Sequence, residues 1–259
     1  MHIPSWTLGA LALSVMAAPA WGGTITLKAK DGRTLKADSR GSGDKCVVLI
    51  HGKERTSADF EWLTGRLADN GFRVVALDLR GHGASGGSLE DATWDAMPHD
   101  VHAATKYLAR QGAEEIILIG SEFGASLALY AAAEDERVTS LVLLSPEIVK
   151  LKETPMGDAM DAYGERSVLI IADDSIKMDN RTAAFLHDRA QGPKHLEWST
   201  GAGEGIKMLN RKAGLEGLIL SWLNGTYEVL NRDLTDTREL DASETDDIET
   251  SGKKFGEER

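Results

Sequence analysis

A glutamate stands between two glycines where a short apolar run gives way to a helical pattern. Residues 115–119 form the apolar run, residues 123–133 have helical periodicity, and the junction reads Gly120-Ser121-Glu122-Phe123-Gly124. Glycines on both sides of such a junction permit a sharp turn of the backbone, and the glutamate then lies at the N-terminus of the predicted helix. A carboxylate in that position is suited to nucleophilic attack, to acid–base chemistry or to filling the site as an anion.

A second carboxylate lies in a glycine-rich loop, G-A-G-E-G at residues 201–205, where the acidic residue is Glu204. Two close carboxylates resist joint ionisation, so the pKa of one is expected to rise unless a cation lies between them. With Asp174 as a third oxygen ligand, Glu122 and Glu204 would suit a hard cation. No histidine is positioned to assist, and ordinary turn formation is the simpler explanation of Asp173 and Asp174. We therefore assign no metal site and no cofactor.

The elements that must position these side chains alternate along the chain. Apolar runs predict strands at 46–50, 72–79, 115–119, 138–144, 167–171 and 195–198, and helical patterns fall at 56–70, 101–108, 123–133, 182–190 and 215–222. This alternation predicts an α/β fold with a mainly parallel central sheet and helices on both faces. An Asp31-Gly32 turn between 24–29 and 34–38 predicts an N-terminal β-hairpin. Ligands of such sheets bind at the carboxyl ends of the strands.

Several of these segments, in this order, resemble the α/β-hydrolase family. The early segments are V-L-I-H-G at 48–52, N-G-F-R-V-V-A-L-D-L-R-G-H-G-A-S at 70–85 and the strand–turn–helix at 117–129. The later segments are L-V-L-L-S-P at 141–146, S-V-L-I-I at 167–171 and the loop 201–205. The resemblance extends over residues 24–224 and implies the α/β-hydrolase fold.

The resemblance also implies where the family's catalytic groups would lie. The family has a serine at the centre of G-x-S-x-G and a histidine in the later loop, whereas this chain has Glu122 and Glu204 at these positions. For the third member of the triad, the resemblance offers Asp173 or Asp174 after the strand 167–171, and we assign Asp174. The family's aspartate often falls slightly later, where this chain has Ile176, and Glu147 is an alternative acid. Without the histidine, no general base is available to activate a serine or a water molecule near neutral pH.

The family's oxyanion hole corresponds to the backbone N–H groups of Lys53 and Phe123. A carboxylate at a helix N-terminus can satisfy such unpaired N–H groups. We therefore expect Glu122 to accept hydrogen bonds from both groups. The site would then be filled by its own side chain.

Further pocket candidates lie next to the same strand ends, namely His51, Ser121, Ser145 and Glu147. The resemblance gives His51 a part in ordering the oxyanion loop. Ser121 comes one position before the tip of the turn. Ser126 lies about one turn into the helix, where packing is the better explanation.

The interval between two of the predicted strands is too short for a large lid. Only residues 145–166 separate the strand 138–144 from the strand 167–171, so we expect a minimal cap or none. Met156, Met160 and Tyr163 lie in this interval. They either line the opening or pack against the domain.

The two ends of the chain differ from its middle. Residues 1–20 carry no Lys, Arg, Asp or Glu and contain an apolar run, 6–18, followed by Ala-Pro-Ala, which is typical of a signal peptide. We therefore expect an exported protein, periplasmic or secreted, with an uncleaved anchor or a buried N-terminal segment as alternatives. Residues 21–231 form the predicted domain. Residues 232–259 hold ten acids and five bases and predict an acidic, disordered tail.

Composition excludes several classes of protein. The 259-residue chain is 42% hydrophobic, too much for a wholly disordered protein, and its net charge of −12 argues against a nucleic-acid binder. No long apolar stretch follows the N-terminus, so no stable membrane span is expected after signal cleavage. The single cysteine, Cys46, excludes an intramolecular disulfide and a multi-cysteine zinc site.

Two functional hypotheses follow from these observations. The first is an exported pseudoenzyme that binds a small molecule or a protein partner, because Glu122 and Glu204 replace the family's serine and histidine. The alternative is an active hydrolase of esterase or peptidase type that uses an unconventional, carboxylate-containing site.

Overall fold

One sheet organises the molecule, which is described by a computed structural model at residues 22–88, 92–93, 95–149 and 154–227. Within these residues, eight strands lie in the order β1-β2-β4-β3-β5-β6-β7-β8. Their bounds are β1 (Gly22–Lys28), β2 (Thr34–Arg40), β3 (Lys45–Ile50), β4 (Arg73–Asp78), β5 (Glu115–Ser121), β6 (Val138–Leu144), β7 (Ser167–Ala172) and β8 (Lys194–Trp198). The proposed signal peptide and the acidic tail lie outside the described residues.

The sheet is mainly parallel, as predicted. β2 pairs antiparallel with β1 and with β4, and the pairs from β4 through β3 to β8 are parallel. The predicted N-terminal hairpin is confirmed, and Gly32 in its turn has φ +89°. This value lies in the left-handed region that glycine adopts without steric cost.

Helices cover both faces of the sheet. Their bounds are α1 (Glu61–Asp69), α2 (Pro98–Arg110), α3 (Phe123–Ala133), α4 (Met156–Tyr163), α5 (Lys177–Arg189), α6 (Lys207–Arg211) and α7 (Leu215–Leu223). Helices α2 to α5 share one apolar core, and α1, α6 and α7 share the other. Along β3, Val48 and Ile50 face the first core, whereas Val47 and Leu49 face the second. Burial on both faces explains why this strand is a continuous apolar run.

Several elements differ from the sequence-based expectation. The side chain of Thr56 caps a short 3₁₀ helix, Ser57–Phe60, before α1 begins. Helix α5 begins at Lys177, several residues before the expected start. Helix α6 was not predicted from the sequence, because a five-residue helix shows too little periodicity to be recognised.

Helix α4 fills the interval in which a large lid was excluded. Met156, Met160 and Tyr163 are each at most 2% exposed and belong to the α2–α5 core. They therefore pack against the domain and do not line an opening. Their spacing of i, i+4 and i+7 places them on one helical face, which is the pattern that would have predicted the helix.

No helix in the described ranges combines the length and the apolar character that crossing a membrane requires.

Candidate active site

Glu122 occupies the tip of a strained turn between β5 and α3. Its backbone has φ +56° and ψ −122°, an unusual conformation for a residue with a side chain. Gly120 and Gly124 make this turn possible, because a Cβ atom at Gly124 would overlap the carbonyl oxygens of Ile50 and His51. A Cβ atom at Gly120 would lie 2.5 Å from the Cα atom of Ala125. The chain therefore has the geometry of a nucleophile elbow with a glutamate at its tip.

The side chain of Glu122 extends into the space between two glycine-containing loops. A Cβ atom added to Gly52, in the loop after β3, would lie 2.9 Å from Glu122 Oε2. A Cβ atom added to Gly205, in the loop after β8, would lie 2.5 Å from Glu122 Oε1 and 2.8 Å from Glu122 Cγ. The carboxylate thus fits against both loops only because neither glycine carries a side chain.

The N–H group of Phe123, the first residue of α3, donates a hydrogen bond to the carboxylate of Glu147. We expected this hydrogen bond to go to Glu122. The hydroxyl of Ser126 donates to the backbone oxygen of Glu147 at 2.5 Å, which fixes this residue against α3. Ser126 is fully buried, so the expectation that it serves packing is confirmed. A carboxylate of the protein itself thus uses one of the two predicted oxyanion-hole donors.

Three glutamates, Glu122, Glu147 and Glu204, interact electrostatically at the carboxyl ends of the strands; we call them the carboxylate cluster. Burial raises the pKa of Glu122, and the charge of Glu204 raises it further. Burial, followed by the charges of Glu122 and Glu204, also raises the pKa of Glu147, although its side chain retains solvent access at the rim. Glu204 itself is exposed.

Three cations partly offset this concentration of negative charge. The charges of Arg55 and Lys207 lower the pKa of Glu122, and that of Lys53 lowers the pKa of Glu147. Lys53 was predicted to contribute through its backbone N–H group. The interaction found here is that of its ammonium group, and the role of the N–H group stays a prediction. Arg55 and Lys207 were not singled out from the sequence, because nothing in their local motifs relates them to a loop contact.

Asp173 fastens the loop that carries Glu204. Its carboxylate accepts hydrogen bonds from the N–H groups of Gly201 at 3.0 Å and Gly203 at 2.7 Å, and from the hydroxyl of Ser175 at 2.5 Å. Burial alone would raise the pKa of Asp173, but these hydrogen bonds outweigh it and lower the pKa to about 2. The sequence predicted only a turn at Asp173. The local hydrogen bond with Ser175 fits such a turn, and the hydrogen bonds with Gly201 and Gly203 are additional contacts between distant parts of the chain.

Two buried serines hold the next residues of the same loop. The Oγ atom of Ser121 accepts a hydrogen bond from the N–H group of Ile206 at 2.9 Å, and that of Ser145 accepts one from Gly205 at 3.0 Å. Ser121 is 2% exposed and Ser145 is 1% exposed. Both pocket candidates therefore help to hold the loop in place, and neither side chain is exposed in an open pocket.

Asp174 has a different environment from its neighbour. Its Oδ1 atom is buried without a hydrogen-bond partner among the described residues. Its assignment as the triad acid remains a prediction. In the ranges that the structure describes, no three His, Cys, Asp or Glu side chains are grouped to hold a metal ion. Asp174 therefore does not join Glu122 and Glu204 in a three-ligand group.

His51 is held in its neutral form. Its Nδ1–H group donates to the carbonyl oxygen of Gly52 at 2.8 Å, and its Nε2 atom accepts from the N–H group of Leu79 at 3.1 Å. Burial lowers the pKa of His51 to about 4. Both ring nitrogens are thus engaged in joining the loop after β3 to the end of β4, which agrees with the ordering role expected for this residue.

The strand order and the elbow define an α/β-hydrolase-fold protein. A family model described as serine aminopeptidase, S33, matches residues 41–190, and the chain belongs to this family. The match covers β3 to α5 and includes the elbow.

Two curated relatives illustrate the range of the sequence likeness. The non-heme chloroperoxidase of Streptomyces lividans is 34% identical over 178 residues, which cover 66% of this chain and 59% of that protein. The AB hydrolase superfamily protein YisY of Bacillus subtilis is 32% identical over 136 residues, which cover 51% of this chain and 49% of that protein. The chain thus spans about half to three-fifths of the length of these relatives.

Solved structures show the same fold at low sequence identity. The esterase Pf2001 of Pyrococcus furiosus superposes with a TM-score of 0.68 at 18% identity, covering 80% of this chain and 93% of that one. The dienelactone hydrolase of Anabaena variabilis superposes with a TM-score of 0.65 at 15% identity, covering 81% and 99%. At these identities the likeness concerns the fold alone.

Proposed function

We propose that this protein is an exported pseudoenzyme of the α/β-hydrolase fold. In this proposal, it binds a small molecule or a protein partner at the carboxyl ends of its strands and does not hydrolyse it. The observation that carries the proposal is the position of Glu122. The elbow is retained, but its tip bears a carboxylate that lies against Gly52 and Gly205.

The electrostatics of the site support the same conclusion. Acyl transfer develops negative charge on the substrate oxygen, and hydrolases stabilise that charge with N–H donors. Here the Phe123 donor is bonded to Glu147, and Glu122 and Glu204 add further negative charge nearby. An oxyanion formed at this place would be repelled rather than stabilised.

The described histidines near the strand ends do not supply a base. His51 uses both ring nitrogens in hydrogen bonds, and its lowered pKa keeps it neutral. His82 is 6% exposed and its Nδ1–H group donates to the carbonyl oxygen of Arg80. A general base must reach the proton that it abstracts. His51 has no free ring nitrogen, and the Nε2 atom of His82, which has no hydrogen-bond partner among the described residues, is buried away from solvent.

The second candidate is an active hydrolase that uses the carboxylates themselves. The strained backbone of Glu122 favours it, because stored strain is common at functional positions. In this mechanism the Glu122 carboxylate attacks the carbonyl carbon of an ester or amide substrate, expels the alcohol or amine, and forms a mixed anhydride. Water must then hydrolyse that anhydride, with Glu147 or Glu204 as the base, and regenerate the Glu122 carboxylate.

Labelling distinguishes the two candidates. A fluorophosphonate probe reacts with activated serines, and a pseudoenzyme should show no mass adduct after prolonged incubation. The wild type is compared with Ser121→Ala and Ser145→Ala, so that any adduct can be assigned. An adduct on a serine would overturn the pseudoenzyme proposal. An acyl adduct on Glu122, a mixed anhydride formed as a p-nitrophenyl ester releases p-nitrophenolate, would favour the second candidate.

Export is tested separately. Full-length chain expressed in a Gram-negative bacterium should appear in the periplasmic or extracellular fraction with a mature N-terminus near Trp21. Retention of Met1 in the cytosolic fraction would contradict export while leaving the binding proposal intact.

A further inference from the structure

A basic cleft of about 600 Å³ lies beside α2, apart from the carboxylate cluster. Its lining contains five Lys or Arg side chains and two carboxylates, together with two histidines. The surplus of positive charge is notable in a chain of net charge −12. The volume is typical of sites for small molecules, which span about 300–1,000 Å³.

The sequence builds one wall of the cleft from a single helical face. His99, His102, Lys106 and Arg110 follow one another along α2 at intervals of three or four residues. This spacing brings all four side chains to one side of the helix. Lys106 and Arg110 are exposed, whereas the opposite side of α2 packs into the core through Val101, Ala104 and Leu108.

The other walls come from the end of β1 and from the connection between α3 and β6. Lys28 and Lys30 are exposed on either side of the buried Ala29, so both side chains point away from the core. On the third wall, the guanidinium group of Arg137 forms two hydrogen bonds with the carboxylate of Asp135, each of 2.7 Å.

The negative charge of Asp135 is already used within the wall. Its Oδ2 atom also accepts a hydrogen bond from the hydroxyl of Thr105 at 2.7 Å. Burial alone would raise the pKa of Asp135, but the hydrogen bonds of Arg137 and Thr105 outweigh burial and lower it. Glu134 is then the one remaining carboxylate among the described lining residues.

The remaining cations are not neutralised by the described part of the chain. Lys28, Lys30, Lys106 and Arg110 form no ion pair with any described carboxylate. Cations collected in a concave site focus the local potential and raise the concentration of anions there. Arg and Lys are also the side chains that bind phosphate oxygens.

We infer that this cleft binds a small molecule that carries phosphate groups, with Lys28, Lys106 and Arg110 contacting the anionic oxygens. Two adjacent phosphates suit the charge better than a single one, because the cations come from two separate walls. The site is independent of the proposed function of the elbow, since the two share no residue.

The test uses the full-length protein and two probes, soluble pyrophosphate and vesicles that contain phosphatidic acid. Calorimetry with pyrophosphate should give saturable binding that weakens as salt screens the charges. Lys106→Glu and Lys28→Glu should each raise the Kd for pyrophosphate by at least about tenfold, which corresponds to about 1.4 kcal/mol of binding free energy. The control is Lys177→Glu, which makes the same change of charge at an exposed residue at the start of α5. Its Kd for pyrophosphate should differ from that of the wild type by less than about twofold.

Each outcome decides the inference. Saturable binding to pyrophosphate supports a soluble phosphorylated ligand, and binding to vesicles alone supports a lipid headgroup as the source of the same chemistry. Absence of saturable binding to either probe overturns the inference. Equal weakening in Lys106→Glu and Lys177→Glu also overturns it, because the effect would then reflect net charge alone.

Discussion

The carboxylate of Glu122 lies against Gly52, so that a Cβ atom at this glycine would come within 2.9 Å of Glu122 Oε2. The loop after β3 therefore meets the elbow through a carboxylate instead of a hydroxyl. The contact joins the two parts of the site that a serine hydrolase uses for nucleophile and oxyanion hole. Its consequences for pH, stability and activity can be measured.

Replacing Glu122 with Gln should stabilise the protein at neutral and alkaline pH. Burial and Glu204 raise the pKa of Glu122 in the folded state, so its ionisation opposes folding. The stability associated with the neutral form is present at low pH and is lost as pH rises through the raised pKa. The melting temperature of Glu122→Gln should therefore exceed that of the wild type at about pH 8, and the difference should vanish near pH 4.

The exposed residue Glu136 provides the matched control. Glu136→Gln removes the same charge outside the site and should leave the melting temperature nearly unchanged at both pH values. If Glu122→Gln instead lowers the melting temperature at pH 8, the ionised carboxylate stabilises the fold, which contradicts the destabilising effect of burial and of the charge of Glu204.

Replacing Asp173 with Asn should destabilise the protein by about 2–3 kcal/mol, because an amide cannot accept all the hydrogen bonds of the buried carboxylate. For a domain of this size, this corresponds to a fall of about 4–12 °C in the melting temperature. In the wild type, the stability from Asp173 should be present above pH 3.8 and disappear as pH falls toward about 2. Thermal unfolding as a function of pH measures both effects.

The neighbouring residue offers the comparison. Asp174→Asn changes the same chemical group, but its Oδ1 atom has no hydrogen-bond partner among the described residues. We expect a smaller loss of stability than in Asp173→Asn. Equal losses would show that Asp173 does not have a special role in fastening the loop.

Gly205→Ala should destabilise the protein more than Gly201→Ala does. Both glycines have positive φ, +59° and +73°, so the backbone penalty is similar. A Cβ atom at Gly205 would overlap Ser121 Oγ and lie 2.5 Å from Glu122 Oε1, whereas one at Gly201 would meet no atom within 4 Å. Overpacking of this kind costs about 1–3 kcal/mol beyond the shared penalty. Chemical denaturation of the two variants should show this difference, and equal stabilities would contradict the close contact of the loop with the elbow.

The His51 ring should remain neutral throughout the physiological pH range. Burial lowers its pKa to about 4, so its ring signals should not shift between pH 8 and about pH 5 in a nuclear magnetic resonance titration. A His51 midpoint near 6.5 would mean that the ring is solvated and able to act as a base.

Most of the fold could be predicted from the sequence because buried parallel strands and amphipathic helices have strong, regular patterns. The elbow could also be predicted, because its close backbone contacts leave no room for a Cβ atom at Gly120 or Gly124. This requirement appears in the sequence as a short local motif. The contacts of Asp173 with Gly201 and Gly203 could not be predicted, because they join residues separated by 28 and 30 positions. For the same reason, Glu147 was recognised as a pocket candidate but not as the acceptor of the Phe123 hydrogen bond.

If the carboxylate of Glu122 has replaced hydrolytic chemistry at the elbow, the protein should not turn over p-nitrophenyl acetate at steady state. Wild-type protein and Glu122→Gln are measured side by side at pH 7–8 against buffer alone. We expect the rate of hydrolysis with either protein to equal the rate in buffer alone. Turnover by the wild type above background would contradict it, and loss of that turnover in Glu122→Gln would identify Glu122 as the reacting group.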